Sequence, residues 1–129
     1  MYLKKRKAFT MLELTFVIVI IGILSSIAIP KLAATRDDAV VSKARNTVAA
    51  LRSTLATERQ KNILKGDFAR IDGAKLEELI EYDLDSDWSR NGDKFIFFNT
   101  SVGRCEFSIP SNKNKLKIGT CDVTGMKDL

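Results

Sequence analysis

Apolar residues form a nearly unbroken run close to the start of the chain. Between Phe9 and Ile29 only one of the 21 residues, Glu13, carries a charge. About 20 apolar residues are what a helix needs to cross the hydrocarbon core of a bilayer. The run therefore predicts a membrane-spanning helix, and about 100 residues are left for one small domain.

Helical periodicity continues beyond this run. Five apolar residues recur at intervals of three and four positions, which places them on one face of a helix; they are Val41, Ala44, Val48, Leu51 and Leu55. We expect this face to pack on the rest of the domain, and a separate coiled-coil partner is the alternative. A helix from Phe9 to Ile63, bent but not ended at Pro30, would be roughly 80 Å long, so the chain should have the shape of a ladle.

Towards the end of the chain the period changes to two. Asp72 is placed to cap a short helix from Ala74 to Tyr82. Strand-like stretches follow at 94–98, 104–109 and 115–118, separated by residues typical of turns. These patterns predict an α+β fold in which the second half of the long helix packs on a small antiparallel sheet of about three strands.

Charge and composition narrow the classes of function. The formal net charge is +5, and four of the 21 cations lie together at positions 4–7. From Phe9 onward the chain has 17 basic and 16 acidic residues, so this part is close to neutral. The chain has no His, the commonest general base and a frequent zinc ligand. Since no nucleophile and base pair or Gly-rich phosphate loop stands out either, we expect a protein that is not an enzyme.

The N-terminal cations indicate an orientation, because Lys and Arg are retained in the cytoplasm while the rest of the chain is exported. A secretory signal peptide cut after Ala28, with Ser26 as the second small residue, is one interpretation. A plain membrane anchor is another. Neither interpretation gives Glu13 a function. A carboxylate near the bilayer centre nevertheless costs about 2.5 kcal/mol or more of insertion free energy. An acid without a function would reach back to the cytoplasmic interface.

The residues Lys7-Ala8-Phe9-Thr10-Met11-Leu12-Glu13-Leu14, with the apolar run to Pro30, resemble the prepilin signal of type IV pilins and type II secretion pseudopilins. The resemblance implies that a prepilin peptidase cuts between Ala8 and Phe9 and methylates the new amine of Phe9. Ala8 stands where the family usually has Gly. The implied organisation is a leader (1–8), a transmembrane and filament-core helix (9–30) and an exported domain (31–129), which comprises the rest of the helix (31–64), a connecting region (65–93) and the sheet (94–129).

The resemblance also implies a role for Glu13. Its carboxylate would pair with the terminal amine of a neighbouring subunit in an apolar filament core, where an unpaired charge is costly. The subunit would be held in the bacterial inner membrane with its domain in the periplasm, and an inner-membrane assembly platform would then add it to like subunits. The filament would serve type II secretion, DNA uptake or a pilus, and the short domain and Ala8 favour a pseudopilin or minor pilin. The alternative is a monomeric binding module, membrane-anchored or secreted into the periplasm.

Cys105 and Cys121 lie in the part of the chain expected to be exported, where disulfides persist. A bridge between them would close a loop of about 16 residues and contribute roughly 3 kcal/mol of stability in the chain-entropy model. It would resemble the C-terminal disulfide loop of many type IV pilins. Two separate buried thiols are the alternative.

An acidic loop before the strands is a weaker candidate for a site. Its four carboxylates, which could bind calcium through oxygen ligands, belong to Asp83, Asp85, Asp87 and Asp93. Trp88 and Lys94 stand where an EF-hand requires Gly and Glu, and we expect Trp88 to pack on the domain. A solvated loop with no cofactor is therefore the simpler interpretation.

Alternating lysines form the last candidate. Lys113, Lys115 and Lys117 would share one face of a strand and could contact the phosphates of DNA. Lysines on an edge strand also prevent edge-to-edge aggregation, and that interpretation is favoured.

Overall fold

The computed structural model describes residues 8–80, 84–111 and 114–129. The cations at positions 4–7, Asp83 and Lys113 lie outside the described residues. The chain divides into two compact units, Met1–Arg36 and Asp37–Leu129.

One long helix, α1, runs from Met11 to Leu64 and continues through Pro30, as the sequence predicts. It is the one helix in the described part of the chain that is long and apolar enough to cross a membrane. None of the residues in its most apolar stretch is buried. The apolar surface of this stretch of α1 is therefore uncovered.

In the second unit the predicted stripe of α1 forms the helical side of the core. Ala44, Val48, Leu51 and Leu55 are buried and Val41 is partly buried against them. Their spacing keeps them on one side of the helix. The prediction that this stripe packs on the domain is confirmed.

A four-stranded antiparallel sheet covers this stripe. Its strands are β1 (Trp88–Asn91), β2 (Lys94–Asn99), β3 (Gly103–Ser108) and β4 (Lys117–Cys121), in the order β1-β2-β3-β4. The sheet thus has one strand more than the about three that the sequence predicts, because β1 forms within the predicted connecting region (65–93). Strand β4 also lies further along the chain than the predicted 115–118.

The short β1–β2 hairpin explains the additional strand. Asn91 pairs with Lys94, which leaves a loop of two residues, Gly92 and Asp93. Gly92 has a φ of 60°, a conformation that two-residue hairpin loops require and that glycine adopts without steric cost.

Aromatic side chains fill the space between the sheet and α1. Phe95, Phe97 and Phe107 are almost completely buried, and they alternate with outward residues as half-buried strands should. Trp88 packs with its ring centroid 5.4 Å from that of Phe97 and 5.9 Å from that of Phe107. The expectation that Trp88 packs on the domain is confirmed.

The connecting region contains helix α2, which spans Gly73–Leu79 and thus ends earlier than predicted. Asp72 caps it as expected, because its carboxylate accepts a hydrogen bond of 2.8 Å from the main-chain N–H of Lys75. Leu76 is buried in the core. Helix α2 therefore packs on the core through the side chain of Leu76.

Candidate functional site

The first turn of α1 holds Glu13 by a reciprocal set of hydrogen bonds with Thr10. The main-chain N–H of Glu13 donates to Oγ1 of Thr10 (3.2 Å), and the main-chain N–H of Thr10 donates to Oε2 of Glu13 (3.2 Å). The Thr10 hydroxyl lies 3.3 Å from the same carboxylate oxygen. This is a capping box, in which a hydroxyl residue and an acid three positions later satisfy N–H groups that the helix leaves free.

The capping box gives Glu13 a role inside its own chain. A negative charge in the first turn also interacts favourably with the helix dipole. This role was not among those predicted for Glu13, although the spacing Thr-x-x-Glu signals the motif. Both hydrogen bonds use Oε2, and no hydrogen bond from the described residues reaches Oε1. The second oxygen is therefore available to a partner while the cap stays intact.

Phe9, the expected first residue after cleavage, precedes the cap and is 84% exposed. The apolar surface continues along α1, where Phe16 and Ile27 are each 67% exposed. Such a continuous uncovered apolar surface is stable only in lipid or against other apolar surfaces. The first unit therefore combines a surface suited to lipid or neighbouring helices with one fixed carboxylate.

Cys105 and Cys121 form a disulfide, as the sequence predicts. They lie directly opposite each other on β3 and β4. Cys105 is completely buried, so the bridge fastens the last strand to the core.

The acidic loop uses its described carboxylates separately. Asp85 forms an ion pair of 2.9 Å with Lys43 on α1, and Asp87 accepts a hydrogen bond of 3.1 Å from the Asn99 amide. Asp93 accepts from Arg70 and from the main-chain N–H of Gly73. Within 8–80, 84–111 and 114–129 no group of three or more metal-ligating side chains could hold an ion. Calcium binding by this loop stays the less favoured hypothesis, and a solvated loop without a cofactor stays the prediction.

Two of these contacts shift the pKa of the side chains that form them. The hydrogen bond and charge of Asp85, helped by the charge of Asp87, raise the pKa of Lys43. The hydrogen bonds from the Gly73 N–H and the Arg70 guanidinium lower the pKa of Asp93. The charged forms of both side chains are therefore favoured by the fold.

Asp93 should make stability depend on pH in the acid range. Its pKa is lowered from 3.8 in the folded chain, so its stabilisation is complete above that value and is lost as pH falls below it through the lowered pKa. We expect Asp93→Asn to lower the melting temperature at neutral pH, and the gap to wild type to close below about pH 4. Melting curves across pH test this, with Asp128→Asn at an exposed position as the matched control. A gap that is constant with pH would contradict it.

The lysines at the end of the chain are only partly brought onto a strand. Lys117 begins β4, which is an edge strand, whereas Lys115 precedes the strand. Both line a cavity with Arg59 and Phe68. Contact of these lysines with DNA stays the less favoured hypothesis, and protection of the sheet edge stays the prediction.

Comparisons with known proteins agree with the N-terminal pattern. Residues 3–29 match the family model described as the prokaryotic N-terminal methylation motif. Over 61 residues the chain is 44% identical to the type IV narrow pilus major component PilA5 of Thermus thermophilus, and the match covers 46% of this chain and 53% of that protein. The chain thus spans about half the length of this curated relative. No solved structure gives a significant match.

Proposed function

We propose that this chain, which the methylation motif and the pilus relative support as a type IV pilin-like protein, is a structural subunit of a type IV pilus-like filament. The observation that carries the proposal is the first part of α1, an uncovered apolar helix with one carboxylate fixed at its start. A lipid anchor needs the apolar surface but not the acid. A filament core uses both.

In the proposed filament the first parts of the α1 helices pack side by side. Contacts between these helices take the place of their contacts with lipid. The terminal amine at Phe9 of one subunit pairs with Oε1 of Glu13 in its neighbour, while Oε2 keeps the neighbour's helix capped. Because both charges are then satisfied, the core contains no unpaired ion. The pairing fixes the axial position of one subunit against the next.

Processing between Ala8 and Phe9 by a prepilin peptidase creates that amine in our proposal. We expect the intact mass of protein extracted from its own membranes to correspond to a chain that begins at Phe9 and carries one additional methyl group. Without reductant this species should be lighter by two hydrogens, because Cys105 and Cys121 are bridged.

The same spectrum distinguishes the alternatives. A species that begins at Ile29 would mean secretory cleavage and a soluble periplasmic module. An uncut chain would leave a membrane-anchored module. Either mass would contradict the filament proposal.

The role within the filament is a further part of the proposal. The sequence favours a pseudopilin or minor pilin that serves secretion or DNA uptake, whereas the relative in Thermus thermophilus is the major component of a narrow pilus. The share of this chain in purified filaments separates the two roles. A minor component should be a small fraction of the subunits, and a major one should form nearly all of them.

A further inference from the structure

A groove follows the last turns of α1 in the second unit. Two adjoining cavities of about 630 and 530 Å³ share Arg59, Asn114 and Lys115 in their walls. We call the combined space the α1 groove. Its main charged and apolar walls are formed by Arg59, Lys115, Lys117, Ile63, Phe68 and Leu116.

The α1 groove is cationic and apolar at once. No described carboxylate forms an ion pair with Arg59, Lys115 or Lys117. Phe68 is 80% exposed and Ile63 46% exposed. The groove therefore fits a ligand that offers both carboxylates and apolar contact.

The same chain carries an acidic counterpart beside an earlier part of α1. Asp85 pairs with Lys43, and the charge of Asp87 also acts on that lysine. Asp85 is neutralised by Lys43, so the charge of Asp87 remains as an acidic excess. Lys43 precedes Arg59 by 16 residues, so the two surfaces lie about 24 Å apart along the helix.

We propose that the α1 groove of one copy receives the acidic loop Asp85–Asp87 of a second copy in the filament, displaced by about 24 Å along the direction of α1 in the second unit. The inference rests on the proposed function. Parallel copies related by a screw rotation repeat one head-to-tail contact along the whole filament. Each groove would thus be filled by one neighbour and each acidic loop inserted into another.

A second copy fits better than a nucleic acid. From Phe9 onward the chain has a net charge of only +1, so the cations of the groove are balanced by acids elsewhere on the same chain. A self-complementary surface has this distribution, whereas a binder of polyanions gains from a net positive charge. The apolar side chain of Ile63, which lines the groove and is exposed, suits contact with a protein surface.

Carbodiimide cross-linking of filaments assembled from isotopically heavy and light full-length copies tests the contact. The reagent joins a lysine amine to a carboxylate in an ion pair. We expect heavy-to-light links from Lys115 or Lys117 to Asp85 or Asp87. The Lys43–Asp85 pair, 2.9 Å apart in one copy, provides an internal control.

Two results overturn the contact in different ways. Filaments that show the Lys43–Asp85 link but no heavy-to-light link would overturn this inference and leave the proposed function intact. A chain that forms no filaments would overturn both.

Charge reversal gives an independent readout. Arg59→Glu should lower filament yield by about tenfold or more, since like charges across an interface are repulsive. Asp85→Lys in the same chain should restore much of the yield. Arg45→Glu, at another exposed arginine of α1, is the matched control and should leave the yield unchanged. If Arg59→Glu keeps the filaments but abolishes retention of a fluorescent single-stranded oligonucleotide, the groove binds nucleic acid and the contact between copies is wrong.

Discussion

Replacing Glu13 with leucine should abolish filament assembly while the chain still inserts into the membrane. Leucine extends the apolar run, so insertion is unchanged or improved. The amine of the neighbouring Phe9, however, would lose its partner inside an apolar core, at a cost of about 3 kcal/mol or more. That cost corresponds to a loss of assembly of about a hundredfold. Filaments counted by electron microscopy, against the amount of protein in the membrane, measure both effects.

Two further variants separate the charge of Glu13 from its capping role. Glu13→Gln can retain the capping box, because Gln at this position accepts the same hydrogen bond from Thr10, but it has no charge. It should fail to assemble much as the leucine variant does. Thr10→Ala keeps the charge and weakens the cap, typically by about 1 kcal/mol, so it should assemble with a smaller loss. Normal assembly of Glu13→Leu would favour the anchored module.

Removing the disulfide should strongly destabilise the second unit. Replacing both Cys105 and Cys121 with alanine opens a bridge with a sequence separation of 16 residues. The chain-entropy model gives a loss of about 3 kcal/mol. For a domain of this size the melting temperature should fall by about 10 to 20 °C.

Trp88 is a suitable probe for this measurement. It is the one tryptophan of the chain and is buried against Phe97 and Phe107, so its fluorescence follows the core rather than the membrane helix. Wild-type protein treated with reductant is the matched control and should melt near the variant. An unchanged melting temperature in the variant would contradict a stabilising bridge.

The long helix and the core stripe could be predicted because their signals are local. The apolar run up to Ile29 and the spacing from Val41 to Leu55 determine a helix and the side it buries. Strand β1 was missed because four residues in an acid-rich stretch carry little alternation, although the Gly92 turn was a usable signal. The Cys105–Cys121 pairing could be predicted because the chain has two cysteines and both lie in the part that is expected to be exported.

The α1 groove could not be found from the sequence. It depends on Arg59 of α1 and on Lys115 and Lys117, which are more than 50 residues further along the chain. No periodicity connects residues at that separation. The capping box is different, since its residues are three positions apart and the spacing Thr-x-x-Glu is a local signal in the sequence.

The strand order β1-β2-β3-β4 has a consequence for biosynthesis. Each strand pairs with the one made just before it, so the sheet can form hairpin by hairpin as the ribosome extends the chain. The stripe of α1, in contrast, is synthesised first. Its packing partners Phe95 and Phe107 lie about 50 residues later in the chain. During that interval Val48 and Leu51 are uncovered in a chain that is already apolar at its start. A nascent chain arrested before β3 is therefore the form that chaperones and proteases should recognise.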